Sequence, residues 1–107
     1  MFDINYFKEH IHEELKGARE YIDNAIEAKI GHPAWIRIFA QMADMEIEHA
    51  SHLMRMLETC IRSKSDKAAT SIDPAVTAPA NPETVYKDLM KAYGETMTYV
   101  TNMKRGL

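Results

Sequence analysis

The sequence predicts an all-α protein in which a helical hairpin is followed, after a long crossover, by a third helix. Three observations support this fold class. Apolar residues recur at helical spacing through the first 62 residues and again after residue 83. The short segment Gly31-His32-Pro33 divides the first of these regions in two. A stretch rich in Ser, Thr, Ala and Pro, residues 63–82, precedes the second.

The first two helices are predicted over about residues 3–29 and 33–62. Asp3 or Asn5 is the expected N-cap of the first helix, and Gly31 marks its C-terminal end. Pro33 suits the first turn of the second helix. Because the intervening turn is so short, the two helices must form an antiparallel hairpin. Their apolar stripes consist of Phe7, Ile11, Leu15, Ala18, Ile22, Ala25 and Ile26 in the first helix, and Phe39, Ala43, Ala50, Leu53 and Leu57 in the second.

The third helix is predicted over about residues 83–104, with Asn81 as N-cap and Pro82 at its first position. The preceding linker, residues 63–82, is long for a loop in a compact domain. A crossover along the length of a helical bundle explains that length. The inner side of the third helix is expected to hold Val85, Leu89, Ala92, Tyr93, Thr96 and Val100.

Length and composition indicate a single small globular domain, residues 1–107. The net charge of -3 gives no sign of a nucleic-acid surface. The chain has one cysteine, Cys60, which excludes an internal disulfide and a four-cysteine metal site. No apolar run approaches the roughly 18 residues needed to span a bilayer, and the N-terminus does not resemble a signal peptide. We therefore expect a cytoplasmic protein that binds neither nucleic acid nor membrane.

The segment Glu46-Ile47-Glu48-His49 carries the strongest functional signal. Glu46 and His49 are three residues apart and project from one side of the second helix, whereas Glu48 points towards water. That side is apolar. A carboxylate faces a core only where something neutralises its charge, and a metal ion would do so.

The first helix adds a matching carboxylate, Glu14, which falls within its apolar stripe. Glu14 lies 17 residues before Gly31, and Glu46 and His49 lie 15 and 18 residues after it. In an antiparallel hairpin these three side chains therefore reach similar heights. Tyr21 lies two turns after Glu14 on nearly the same side and is a candidate for a catalytic hydrogen bond or electron relay.

Two carboxylates and one imidazole suit a first-row transition metal better than calcium or magnesium. They make half of a di-metal site. Di-iron helical bundles take a Glu from each of two helices and a Glu-x-x-His from each of the other two, and this chain has one such motif. Two hairpins related by a two-fold axis supply the full set, which predicts a homodimer or higher homo-oligomer.

Each of these residues also has a purely structural interpretation. A Glu-x-x-His pair is frequent in helices that bind no metal. Glu14 at the edge of a stripe can pair with a Lys or Arg of a neighbour, and Tyr21 can be an ordinary packed aromatic. His10 and His52 are more typical of exposed residues than of further ligands.

The segment from Ile38 to Ala50, which contains Glu46 and His49, resembles the second helix of rubrerythrins in the ferritin-like superfamily. Glu14 followed by Tyr21 is similar to their first helix. Residues 84–103 resemble their third helix more weakly. By this resemblance Glu14, Glu46 and His49 are metal ligands. The family's members are di-iron proteins that reduce hydrogen peroxide or oxidise ferrous iron.

The chain departs from the rubrerythrin pattern in three respects. The family has a fourth helix with further ligands, which these 107 residues do not contain. Thr98 stands where the third-helix pattern has a second Glu, and Glu95 lies off the apolar centre of its helix. No four-cysteine iron site is present, so an enzyme of this kind needs an external electron donor.

The resemblance implies a ferritin-like bundle completed by dimerisation, with two iron ions per dimer; manganese is the alternative metal. The rival hypothesis is a ferritin-like helical module without chemistry that serves in assembly or interaction. Such a module has to cover the same apolar face whether or not it binds metal.

Overall fold

The computed structural model describes residues 2–66 and 81–107, and these residues form three α-helices and no strand. Helix α1 spans Ile4–Glu27, α2 spans Ile36–Asp66 and α3 spans Pro82–Arg105. A 3₁₀ turn, Pro33–Trp35, leads into α2. The all-α prediction is confirmed. None of the described helices combines the length and apolar character needed to cross a membrane.

The helix ends follow the predicted capping chemistry. The Asp3 side chain accepts a hydrogen bond of 2.8 Å from the backbone N–H of Tyr6. Asn81 accepts bonds of 2.9 and 3.3 Å from the N–H groups of Glu83 and Thr84. Gly31 adopts a φ of 92°, the left-handed conformation in which a side chain is strained. These caps fix where α1 and α3 begin and where the hairpin turns.

The second helix differs from its predicted range, about residues 33–62, at both ends. Residues 33–35 form the 3₁₀ turn, in which the N–H of Trp35 donates to the carbonyl of His32 over 2.9 Å. Such tight turns are common at helix N-termini. At the other end α2 continues through residues 63–66, which contain neither Pro nor Gly to stop it. The remainder of the predicted crossover, residues 67–80, lies outside the described residues.

Two apolar clusters join the three helices. The first surrounds Phe7, Ile11, Ala50, Leu57 and Leu89, and the second surrounds Ala18, Ile22, Ala25, Ala43 and Val100. Every residue of the predicted inner side of α3 is buried or partly buried. Leu89 belongs to the first cluster, and Val85, Ala92 and Tyr93 pack against it. Val100 belongs to the second cluster, and Thr96 is buried. The predicted helical stripes therefore form the core.

Polar contacts hold α3 against one side of α1. Arg19 Nε donates to Oγ1 of the buried Thr96 over 3.4 Å, and its guanidinium lies 4.8 Å from the centre of the Tyr99 ring. The Tyr99 hydroxyl donates to Asp23. At about 100° per residue, Arg19 and Asp23 project roughly 140° and 180° away from Glu14 on the helical wheel. Helix α3 therefore leaves the Glu14 side of the hairpin open.

Candidate metal centre

Glu14 of α1 and Glu46 and His49 of α2 form a cluster on the open side of the hairpin. One ligand atom from each residue lies within 4.8 Å of the others. Nδ1 of His49 is 3.3 Å from Oε2 of Glu14 and 3.7 Å from Oε1 of Glu46. Donors bound to one ion at about 2.0–2.2 Å lie roughly 3–4 Å apart, so these distances suit a shared ion. The three predicted ligands are brought together; metal binding by them stays a prediction.

The packing of the hairpin sets the height of this cluster. Glu14 precedes Leu15, the last α1 residue of the first apolar cluster, and Ala18 opens the second. On α2, Glu46 and His49 lie between Ala43 of the second cluster and Ala50 of the first. The three ligand candidates therefore occupy the junction of the two clusters, where apolar packing on both sides limits their movement.

Gly17 was missed by the sequence analysis, and it is the residue that makes room for Glu46. A Cβ atom built on Gly17 would lie 2.6 Å from Oε2 of Glu46, closer than such atoms approach. The Glu46 carboxylate thus lies directly against the α1 backbone. The available signal was a glycine inside a helix, three residues after Glu14, where it costs about 0.5–1 kcal/mol relative to alanine.

Partial burial changes the protonation of Glu46. Its side chain is 24% exposed, and that of Glu14 is 26% exposed. The pKa of Glu46 is raised to about 6: burial is the largest cause, the neighbouring Glu14 carboxylate contributes through a hydrogen bond and its charge, and His49 opposes the rise. Two carboxylates this close repel each other when both are ionised, and a bound cation would remove that repulsion.

His49 is the most exposed member, with 52% of its side chain accessible. The other nearby histidines point elsewhere. His10 Nδ1 lies 3.7 Å from Glu13 and its ring packs on Tyr6, and His52 Nε2 lies 3.6 Å from Glu48. Each of these two histidines therefore has a neighbour outside the cluster of Glu14, Glu46 and His49.

Tyr21 is half-buried and packs against the second apolar cluster. Within the described residues, no hydrogen bond joins its hydroxyl to Glu14 or Glu46. The structure thus supplies the packing expected of a structural aromatic. The catalytic role suggested for Tyr21 stays a prediction.

Helix α3 contributes no member of the cluster. Glu95 is exposed and lines a shallow surface depression with His12 and Lys16, on the side of α1 that faces α3. The Thr98 hydroxyl donates to the Gly94 carbonyl over 3.0 Å. Asp44 pairs with Lys104 of α3, which directs its carboxylate away from His49.

Comparison of the chain with known protein families, curated proteins and solved structures found no match. Three donors at one height, two of them partly buried carboxylates, form the chemistry-bearing cluster of the described residues.

Proposed function

We propose that the chain binds a first-row transition metal through Glu14, Glu46 and His49. Iron is the preferred metal and manganese the alternative. In this proposal the chain is a ferritin-like, rubrerythrin-like di-iron oxidase or peroxidase whose centre is shared between two copies. The observation that carries it is the Glu46 carboxylate held against the backbone of Gly17, 3.7 Å from His49 and beside a second carboxylate.

The donor set fits such a metal. Carboxylate and imidazole ligands together suit iron, manganese or zinc, whereas calcium and magnesium prefer oxygen donors alone. The partial burial of two neighbouring carboxylates is unfavourable without a cation, so the cluster is better explained as a binding site than as a stabilising feature of the fold. A helix interior glycine at the same point adds a second unfavourable feature that a bound ion would justify.

Bound iron would supply electron transfer to dioxygen or hydrogen peroxide. The chain's own residues would hold the metal, with Glu14 and Glu46 as carboxylate ligands and His49 binding through Nδ1. Three protein donors leave coordination positions for an oxidant and for ligands of a second copy. An external donor would return electrons, because the chain holds no second redox group of the four-cysteine kind.

The second candidate is a helical assembly module without catalysis. It is favoured by large apolar side chains that remain exposed on α2, among them Ile38, Met45 and Met56. A face of this kind marks an interaction surface whether or not metal binds. Metal content separates the two candidates.

The deciding experiment loads the metal-free protein with ferrous iron under anaerobic conditions and measures retained iron by elemental analysis. We expect about one iron per chain for the unmodified protein. Glu46→Ala should retain almost none. Glu48→Ala is the matched control, because Glu48 is exposed on the same helix and pairs with His52 instead; it should retain iron as the unmodified protein does.

Equal iron in Glu46→Ala and the unmodified protein would refute this assignment of the ligands. A folded protein that retains no iron would refute the metal-centre proposal and favour the assembly module. Where iron is retained, oxygen or peroxide consumption by the loaded protein then tests the reaction.

A further inference from the structure

Helix α2 carries a second stripe that the core does not use. Its members follow one another at alternating intervals of four and three residues. Four are apolar and two are histidines. Three of the apolar members are about half exposed, and both histidine side chains are more than half exposed. The exposed stripe consists of Ile38, Met42, Met45, His49, His52 and Met56.

The exposed stripe extends the apolar surface of α2 well beyond the side that packs on α1 and α3. At about 100° per residue the stripe is centred roughly 120° from the buried residues Ala43, Ala50 and Leu57, and Glu46 lies between the two. A helix that only covers one core needs an apolar arc of about 100°. The additional arc is therefore suited to a second partner.

Alternating intervals of three and four residues are the spacing of a coiled-coil seam. The stripe is also self-complementary. If two copies of α2 pair antiparallel with a two-fold axis at residue 47, Ile38 meets Met56, Met42 meets His52, and Met45 meets His49. All six positions then have a partner, which is the isologous pairing that a two-fold dimer requires.

We infer that the exposed stripe of α2 is the homodimer interface, that the two copies pair antiparallel about residue 47, and that this register unites their two half-sites. The inference rests on the proposed function for its last part. At ~1.5 Å rise per residue, Glu46 of the two copies lies ~3 Å apart in height and His49 ~6 Å apart. A second copy thereby brings two Glu and one His to the open positions of the first.

The occupant is a second copy for two reasons found in the chain itself. A metal held by Glu14, Glu46 and His49 would have only three protein donors, and the most exposed of them, His49, lies on this side of α2. His49 belongs both to that set and to the stripe, so whatever covers the stripe also covers the centre. An unrelated helix would satisfy the apolar residues and would leave the ligand deficit.

The test is the oligomeric state of the metal-free protein, measured by sedimentation over a range of concentrations. We expect a dimer, and Ile38→Glu should raise its dissociation constant about a hundredfold or more, because each copy would place a carboxylate against the apolar Met56 of the other. Met90→Glu is the matched control: Met90 on α3 is 53% exposed, against 54% for Ile38. It should remain dimeric. Helical circular dichroism should be unchanged in both variants.

The register has its own test. Adding Met56→Lys to Ile38→Glu should restore the dimer, since the antiparallel pairing places these two positions opposite each other in different copies. Within one helix they are 18 residues apart, or ~27 Å, too far for an ion pair. Restoration in the double variant supports the register, and a double variant as monomeric as Ile38→Glu overturns it.

Failure of the interface is distinguishable from failure of the metal proposal. A protein that stays monomeric with and without ferrous iron, or an Ile38→Glu variant as dimeric as Met90→Glu, overturns the interface. A dimer that Ile38→Glu dissociates but that retains no iron supports the interface and refutes the metal centre. Loss of retained iron in monomeric Ile38→Glu, whose ligands are intact, supports the shared centre.

Discussion

Gly17 and Glu46 lie in contact across the helical hairpin, and the contact exists because Gly17 has no side chain. A Cβ at this position would approach Oε2 of Glu46 to 2.6 Å and its carboxyl carbon to 3.3 Å. Since the obstructed atoms belong to the end of a flexible side chain, an added methyl group would displace the carboxylate and leave the helix intact.

Gly17→Ala should therefore separate stability from metal binding. Alanine favours the helix by about 0.5–1 kcal/mol over glycine, while the displaced Glu46 carboxylate should lower metal affinity about tenfold or more. Gly94→Ala is the control, because Gly94 lies inside α3 with nothing within 4 Å of an added Cβ. It should gain helix stability and keep full affinity. Chemical denaturation and metal titration measure the two quantities; unchanged affinity in Gly17→Ala would contradict this account of Glu46.

Glu46→Gln should stabilise the metal-free protein at neutral pH. The pKa of Glu46 is raised from 4.5 to about 6 in the folded chain, so the fold disfavours the ionised carboxylate. The resulting penalty is fully present above pH 6, shrinks as the pH falls through 6, and is absent below pH 4.5. The melting temperature of Glu46→Gln should exceed that of the unmodified protein at pH 7, and the difference should shrink towards pH 5. A constant difference across this range would assign the effect to another cause.

Asn81→Ala should weaken α3 without altering the metal centre. The Asn81 side chain accepts from two N–H groups at the start of α3, and loss of such a cap costs about 1 kcal/mol. Because α3 contributes no ligand to the cluster, metal affinity should not change under conditions in which the variant is folded. Chemical denaturation measures the loss of stability, and metal titration measures the affinity. A large loss of affinity would mean that α3 supports the ligands directly.

Glu48→Gln should strengthen the inferred dimer. Glu48 is exposed at the edge of the α2 stripe, one residue from the inferred axis, so the antiparallel pairing brings Glu48 of both copies close together. Removal of this repulsion should lower the dimer dissociation constant several-fold at low ionic strength, and added salt should abolish the difference. Glu9→Gln removes an equal charge from an exposed position on α1 and should have little effect. Sedimentation at two salt concentrations makes the comparison.

The core and the grouping of the ligand candidates were predictable from the sequence because both follow from helical periodicity. The short turn around Gly31 fixes the relative heights of α1 and α2, and this brings Glu14 beside Glu46 and His49. Gly17 was missed because its role depends on the approach of another helix, which periodicity within one segment does not reveal. The boundaries at Pro33 and Asp66 were missed because the local choice between a turn and a helix is nearly balanced there.

The intervals of three and four residues in the exposed stripe of α2 can be read from the sequence. That these residues are exposed cannot. Only the placement of α3 shows that Met45 and Met56 are left exposed by residues 2–66 and 81–107. The position of Tyr21 on its helix was predictable, whereas its packing against the second apolar cluster became visible only in the structure.

Arg19 and Glu14 project from opposite sides of α1, and the two sides make different contacts. The Arg19 side contacts Thr96 and Tyr99 of α3. The Glu14 side carries one member of the cluster that Glu14 forms with Glu46 and His49. A replacement for α3 would therefore have to supply the apolar contacts that Leu89 and Val100 make in the two clusters, and it would not have to supply a side chain to the Glu14, Glu46 and His49 cluster.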